Sequence, residues 1–361
     1  MVQWPILKIM KYTRAAILFE TNKELKIVNN LQIPELKFGQ VLVENAYSGV
    51  CHSQIMEIKG ARGVDNYLPH LLGHEATGVV RETGKGVKKV KEGDWVISGW
   101  IKGEGIDAGG SQYKLNGTNI NAGPVTTFSD FSVVSENRLV KLPEGISPRM
   151  GVVFGCAVPT GSGLFLNDLK KPTNSSIAIF GMGGIGLSAL IMSRVSESNF
   201  IVCIDTNPDK LQLSKEIGAN VVIDASKENP IHRIKKLTDN LGVDFSIEAA
   251  GKTATIEMAF DSIKKFGGLC VFASHPPKGE TIKLDPFELI SGKEIRGSWG
   301  GGVLPDRDIP RIASLQKKNS LPYHLLLDKT YGLEEINEAI SDLAKGNSKR
   351  PIIKLSDRLI R

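Results

Sequence analysis

The sequence predicts a protein of two domains, one a doubly wound α/β domain and the other mainly β. Three observations support this fold class. The length of 361 residues exceeds what one hydrophobic core usually organises. Residues 14 to about 150 contain short alternating runs bounded by glycine and charged residues, which is typical of strands. From about residue 174, apolar strands alternate with helical patterns, which indicates a parallel sheet.

The first part of the chain carries several strand patterns, with clear examples at 40–44, 93–97, 131–135 and 138–142. Residues 101–127 are different, because they are rich in Gly, Asn, Ser and Thr and show little periodicity. We therefore expect a long loop or lobe in this segment.

The second part begins with a buried strand at 176–180 and an apolar helix at 187–195, and the alternation continues to about residue 272. After about residue 300 the chain is expected to return to the first domain through an amphipathic helix and a strand. The predicted division is a catalytic domain at 1–157, a dinucleotide-binding domain at 158–299 and the return at 300–361.

Composition argues against several functional classes. Hydrophobic residues make up 41% of the chain, and the net charge of +6 is spread without an aromatic-interleaved basic stretch that would suggest nucleic acid. No run approaches the ~20 apolar residues of a membrane helix. The first eleven residues lack the features of a signal peptide, so we expect a cytoplasmic protein.

Three residues form the most informative motif of the chain. Cys51 lies in Gly-Val-Cys-His-Ser, His74 in Gly-His-Glu, and Cys156 in Gly-Cys-Ala-Val-Pro-Thr-Gly. Two thiolates and one imidazole make a zinc site with an open fourth position, which is the catalytic arrangement. Glu75 follows His74 directly and is either a further metal ligand or a buried acid paired with a base.

A glycine-rich motif follows the strand at 176–180 and opens a helix. It reads Gly181-Met-Gly183-Gly184-Ile185-Gly186, and its context is that of a dinucleotide-binding turn with the pyrophosphate at the helix N-terminus. Asp205 ends the next strand, where an acid accepts hydrogen bonds from the adenosine ribose. An acid at this position favours NAD over NADP, whose extra phosphate it would repel.

A metal site that acts as a Lewis acid, together with a nicotinamide site, predicts hydride transfer between an alcohol and a carbonyl compound. Two other interpretations remain open at this stage. One is a zinc-free quinone or enoyl reductase, and the other is a non-catalytic NAD-binding protein. The intact zinc motif argues against both.

The motifs together resemble those of the zinc-dependent alcohol dehydrogenases of the medium-chain dehydrogenase/reductase superfamily, over residues 14–355. Some stretches, such as Gly-Val-Asp-Phe-Ser-Ile-Glu at 242–248, are most similar to the glutathione-dependent formaldehyde dehydrogenase branch. The resemblance implies a GroES-like catalytic domain joined to a Rossmann domain. It also implies one catalytic zinc per chain, NAD, a small alcohol or aldehyde substrate, and a homodimer or homotetramer, without nucleic acid or membrane.

The resemblance also implies roles for single residues. Cys51, His74 and Cys156 would hold the zinc, and Ser53 would receive the proton of the substrate. The remaining matched positions contact the cofactor: His52 and Arg350 at the pyrophosphate, Thr160 and Ile185 near the nicotinamide, and Lys210 near the adenosine ribose. Trp100, Phe128 and Trp299 fall near positions that line the substrate pocket.

The sequence departs from the family pattern near the metal motif and in the lobe. Residues 94–155 contain no cysteine, so the family's second, structural zinc is not expected. Gln54 replaces the aspartate that orients the zinc histidine, and Met56 replaces the relay histidine of some members. Because the lobe at 101–127 has diverged, we expect a substrate other than the glutathione adduct of formaldehyde.

Overall fold

A computed structural model describes residues 11–196 and 200–360. The strands in the described part of the chain are β1 Tyr12–Leu18, β2 Lys26–Gln32, β3 Gln40–Gly49, β4 His70–Leu71, β5 Ala76–Thr83, β6 Trp95–Ser98, β7 Ser111–Leu115, β8 Thr118–Ala122, β9 Phe131–Ser135, β10 Leu139–Lys141, β11 Ser176–Phe180, β12 Phe200–Asp205, β13 Val221–Asp224, β14 Phe245–Glu248, β15 Leu269–Phe272, β16 Glu294–Gly297, β17 Thr330–Gly332 and β18 Ile352–Lys354.

The α-helices in the same part of the chain are α1 His52–Ile58, α2 Pro148–Gly151, α3 Ala157–Gly163, α4 Gly184–Ser193, α5 Pro208–Ile217, α6 Pro230–Leu237, α7 Thr253–Ser262, α8 Pro286–Ile290, α9 Pro305–Asn319 and α10 Ile336–Lys345. Three of them begin in the same way. Asn207, Asn229 and Asp285 cap α5, α6 and α8 with side-chain oxygens, and each is followed by proline. Both features favour a helix start.

No single helix in the described ranges is long and apolar enough to cross a membrane. The bent pair Pro148–Gly155 and Ala157–Asp168 meets the length and composition criteria together, and most of its residues are buried inside the protein. Residues 1–10, on which the expectation about a signal peptide depends, lie outside the described residues.

The chain forms two compact units, and the first comprises residues 1–155 and 328–361. Five of its strands close a barrel in the order β1-β2-β7-β8-β4. A second sheet has the order β10-β6-β5-β3-β18-β17, with β9 also paired to β3. Strand β3 is buried along its whole length because both its faces and both its edges are covered. The predicted β-rich domain is therefore confirmed.

The second unit, residues 156–327, is built on six parallel strands in the order β13-β12-β11-β14-β15-β16. This is the strand order of a Rossmann domain, so the predicted doubly wound sheet is confirmed. The order reverses between β11 and β14. Ligands bind at such a reversal, beyond the carboxyl ends of the two strands.

The second unit extends beyond the predicted end at residue 299. Helix α9 buries Ile309 and Ile312, and it packs against α3 of the same unit. Further along, the hydroxyl of Tyr323 forms a 2.6 Å hydrogen bond with Ser162 Oγ, which is also buried. The chain returns to the first unit at Asp328 rather than near residue 300.

The expectation of a loop or lobe across 101–127 is wrong for residues 111–122. Strands β7 and β8 form a hairpin there, joined by Asn116 and Gly117 at φ 50° and 85°. Two successive positive φ values are typical of the Asn-Gly hairpin turn. Tyr113 and Ile120 face the core of the barrel and are fully buried. The stretches on either side of the hairpin, 101–110 and 123–127, are irregular.

One buried carboxylate contributes to the order of the irregular stretch 101–110. Glu136 is 2% exposed, and its two oxygens accept hydrogen bonds from the backbone N–H groups of Lys88, Lys89 and Ile106 at 2.6, 2.8 and 2.8 Å. Burial by itself raises the pKa of Glu136, but the three N–H donors lower it below its usual value. Glu136 therefore ties two loops together as an ionised group.

Replacing Glu136 by glutamine should lower the free energy of unfolding by about 2 kcal/mol at pH 7, because hydrogen bonds to a charged acceptor are lost or weakened. The pKa of Glu136 is lower in the folded than in the unfolded state, so its stabilisation exists above the unfolded pKa. It disappears as the pH falls through the folded value. Urea denaturation at a series of pH values measures both effects. The exposed Glu144→Gln variant is the control, and a constant difference between wild type and Glu136→Gln down to pH 3 would contradict the assignment.

Candidate active site

Cys51 and His74 come together because they lie at the same end of two paired antiparallel strands. Strand β3 pairs with β5 through Ser48 and Ala76. Cys51 lies just past the end of β3 as the N-cap residue of α1, and His74 lies just before β5. Gly73 has a φ of 89°, a conformation that favours glycine, and it turns the chain into His74.

Cys156 joins this pair through a tightly packed glycine. It directly follows Gly155, where an added Cβ would lie only 2.5 Å from the carbonyl oxygen of Ser98. The ligand atoms of Cys51, His74 and Cys156 all lie within 4.8 Å of one another. The structure thus brings together three of the four residues predicted to bind metal.

The donor set fits a zinc ion. Nε2 of His74 is buried and has no hydrogen-bond partner among the described residues, although buried polar atoms are nearly always satisfied. Two thiolates and one imidazole are ligands that zinc prefers, and three protein ligands leave a position for substrate. Such an ion would also satisfy the buried nitrogen.

Glu75, the fourth predicted metal residue, is engaged elsewhere. Its carboxylate is fully buried and forms a 2.5 Å ion pair with Arg350, which is 5% exposed. Burial raises the pKa of Glu75, while Arg350 acts in the opposite direction. Arg350 was predicted to contact the pyrophosphate of the cofactor, and the structure places its guanidinium against this carboxylate.

Two residues of α1 surround the ring of His74. The Nε2 atom of Gln54 lies 2.7 Å from Nδ1 of His74, and Gln54 is 1% exposed. The hydroxyl of Ser53 lies 3.5 Å from the same nitrogen and is partly exposed. His52, at the first position of the helix, is exposed. The helix thus presents a buried amide to the histidine and leaves the serine hydroxyl accessible.

The glycine motif of the second unit forms the expected turn between β11 and α4. Gly181 has a φ of 89°, and an added Cβ would lie 2.6 Å from the backbone nitrogen of Ala250. At Gly186 an added Cβ would lie 2.0 Å from the carbonyl oxygen of Gly181. Gly183 faces open space, and Gly184 and the half-buried Ile185 begin the helix. The turn leaves room for a phosphate at the start of α4.

Asp205 closes this turn from the neighbouring strand. One carboxylate oxygen accepts a 2.7 Å hydrogen bond from the N–H of Met182, and the other accepts from the N–H groups of Thr206 and Asn207. A carboxylate has about four acceptor positions, so it retains one for a ligand hydroxyl. Lys210 lies on the first turns of α5 and is half-buried.

Two further residues of the second unit have unsatisfied polar atoms. Thr160, on α3, is 2% exposed, and its Oγ1 has no partner among the described residues. Sequence reasoning missed Glu248, which is fully buried at the end of β14. One of its oxygens accepts from the N–H groups of Ala250 and Gly251 and shapes the loop beside Gly181. A sequence signal for Glu248 exists, because it is an acid at the end of an apolar strand and is followed by Ala-Ala-Gly.

Comparison with known proteins connects both units to one enzyme family. Residues 37–144 match the alcohol dehydrogenase GroES-like domain, and residues 184–317 match the zinc-binding dehydrogenase family. An S-(hydroxymethyl)glutathione dehydrogenase of Escherichia coli is 30% identical over 95% of this chain and 99% of its own length.

Two solved structures are similar over nearly the whole chain. Benzyl alcohol dehydrogenase from Acinetobacter calcoaceticus has a TM-score of 0.85 at 27% identity, and it covers 96% of this chain and 100% of its own. An alcohol dehydrogenase zinc-binding domain protein from Burkholderia ambifaria has a TM-score of 0.86 at 26% identity, with coverages of 95% and 99%.

The purified protein should contain about one zinc per chain, because one ligand group is found among the described residues and no cysteine lies at 94–155. Replacing Cys51 by serine should remove that zinc, whereas Cys203→Ala, at a buried thiol of the second unit, should retain it. Elemental analysis measures the content. Two tightly held zinc ions per chain, or full occupancy in Cys51→Ser, would contradict the assignment.

Proposed function

Since the chain belongs to the zinc-dependent alcohol dehydrogenases of the medium-chain dehydrogenase/reductase superfamily, we propose that Cys51, His74 and Cys156 hold its catalytic zinc. The family transfers a hydride between an alcohol and NAD(H), and the predictions of this reaction and of zinc and NAD as cofactors are thereby confirmed. The observation that carries the site assignment is the cluster of three ligand atoms around an unpartnered histidine nitrogen.

The chain's own residues would orient the substrate and move its proton. Bound zinc supplies a Lewis acid for the substrate oxygen, and NAD supplies the hydride acceptor. The hydroxyl of Ser53 receives the proton of the alcohol. Met56 cannot carry a proton, so the partly exposed Ser53 passes it to water.

The second unit would bind NAD at the strand reversal between β11 and β14. The turn at Gly181–Gly186 and the start of α4 accommodate the pyrophosphate. The remaining acceptor position of Asp205 receives a ribose hydroxyl, with Lys210 beside it. Thr160 Oγ1 is available to the nicotinamide end, and His52 and Arg350 are proposed for the pyrophosphate on the basis of the family resemblance.

The enzyme should prefer NAD over NADP by at least ~10-fold in kcat/KM, which corresponds to about 1.4 kcal/mol of transition-state free energy. The reason is the carboxylate of Asp205, which would repel a ribose phosphate. Asp205→Asn retains an acceptor for the backbone N–H groups but removes the charge, so it should narrow the preference. Asp209→Asn, an exposed acid four residues further along, is the control. Equal use of both cofactors by the wild type would refute the role of Asp205.

Trp100 supports an alcohol with an apolar ring as the substrate. It follows Gly99, where an added Cβ would lie 3.0 Å from the carbonyl oxygen of Gly155, next to Cys156. Its own carbonyl accepts a hydrogen bond from Arg138, which fixes the backbone there. Phe128 is fully buried in the core and Trp299 is 79% exposed, so neither is as well placed for this role.

The highest kcat/KM in a panel of alcohols should be for an aromatic alcohol such as benzyl alcohol. S-hydroxymethylglutathione should not be the best substrate, because the cysteine-free segment 101–110 is a short loop held by Glu136. Trp100→Ala should lower kcat/KM about tenfold or more for benzyl alcohol and much less for ethanol, since a large apolar contact is lost. Trp100→Phe should restore most of the activity. If S-hydroxymethylglutathione gave the highest kcat/KM of the panel, this proposal would be overturned.

A cytoplasmic homo-oligomer is part of the same proposal. None of the four cysteines forms a disulfide bond in the described structure, which suits a reducing compartment. Strand β16 lies at the edge of the sheet and is largely exposed, and Phe287 and Ile290 on α8 are 61% and 80% exposed. An exposed strand edge beside apolar residues favours pairing with a second copy. A molecular mass of one chain, measured by light scattering, would contradict the homo-oligomer. Finding the protein outside the cytoplasm by cell fractionation would contradict the cytoplasmic location.

A further inference from the structure

One amide joins two groups of the metal site. Oε1 of Gln54 accepts a 2.9 Å hydrogen bond from the backbone N–H of Cys51, and Nε2 of Gln54 lies 2.7 Å from Nδ1 of His74. A backbone N–H can only donate, so the oxygen end of the amide must face Cys51. The NH₂ end therefore faces His74 and donates to it.

This orientation decides which nitrogen of His74 carries the proton. Nδ1 accepts from the amide, so in the neutral ring the proton is on Nε2. Nε2 is the buried atom that has no partner, and it is the nitrogen left for a metal. A nitrogen that carries a proton cannot bind zinc, since the ligand is the free lone pair of a neutral imidazole. The observed amide orientation thus favours the Nε2–H tautomer of His74, whose ring nitrogen is not available to a metal.

We propose that Gln54 is a positioning residue whose amide reverses when the metal site is filled. After reversal, Oε1 of Gln54 accepts a hydrogen bond from Nδ1–H of His74, and the ring Nε2 of His74 has its lone pair available for zinc. The NH₂ end then meets the N–H of Cys51, so that hydrogen bond is lost. In the observed orientation Gln54 satisfies both neighbours, but with zinc on His74 it can satisfy only one of them, and this loss weakens zinc binding. This inference rests on the proposed zinc site of Cys51, His74 and Cys156.

A glutamate at position 54 removes the conflict. It has the length of glutamine, and both of its oxygens accept. One oxygen can accept from Cys51 while the other accepts from Nδ1–H of His74, and a carboxylate also makes the histidine a stronger ligand. The Gln54→Glu variant therefore tests the inference with almost no change of shape.

The first experiment measures zinc affinity in the full-length chain by competition with a chelator of known affinity. Gln54→Glu should bind zinc about 10- to 100-fold more tightly than the wild type, the usual effect of a partner that orients a zinc histidine. Gln112→Glu, the same change at an exposed position of β7, should bind like the wild type. Equal affinities of Gln54→Glu and the wild type would overturn the inference.

The second experiment uses the wild-type chain, so it does not depend on the folding of a variant. Nitrogen-15 NMR of the histidine rings, with His74→Gln for assignment, should show the proton of His74 on Nε2 without metal and on Nδ1 with zinc. A proton on Nδ1 in the metal-free protein would refute the amide reversal.

The zinc site and the role of Gln54 can be refuted separately. If Cys51→Ser binds zinc as tightly as the wild type, the zinc site itself is wrong. If Cys51→Ser weakens zinc binding but Gln54→Glu leaves it unchanged, the site stands and only the role of Gln54 fails.

Discussion

The active-site segments of the first unit depend on one buried ion pair, between Glu75 and Arg350. Glu75 directly follows His74, and Arg350 comes from the returning end of the chain, 275 residues away. Removing one partner of such a pair typically costs about 3–5 kcal/mol, because an uncompensated buried charge remains. The pair thus links the segment that carries His74 to the returning end of the chain.

The same ion pair explains two glycines of the metal motifs. An added Cβ at Gly49 would lie 2.3 Å from Oε1 of Glu75, and one at Gly155 would lie 2.8 Å from Cβ of Glu75. Gly49 precedes Cys51 by two residues, and Gly155 directly precedes Cys156. The backbone therefore packs directly against Glu75 on two sides, just before the two cysteines proposed to bind zinc.

The sequence allowed prediction of the parts that repeat a local pattern or a short motif. The alternation of strands and helices predicted the parallel sheet, and Gly-His-Glu with the two Gly-bounded cysteines predicted the ligand cluster. Contacts between distant residues left no local signal. The hairpin at 111–122 has strands of five residues and a polar residue, Ser111, at a buried position, so its alternation gave a weak signal. No pattern near Glu136 shows that it binds the N–H groups of Lys88 and Ile106.

Hydrogen bonds within the chain order the segment in which the family resemblance places a structural zinc. A structural zinc contributes folding energy directly, and without its cysteines a chain needs another source of order for that segment. Here Glu136 binds the irregular stretch, and the Asn116–Gly117 hairpin closes the barrel through β8 and β4. Both the contacts of Glu136 and the hairpin consist of hydrogen bonds within the chain. The ionised carboxylate of Glu136 therefore contributes to the order of this stretch, and no metal ligand is needed for it.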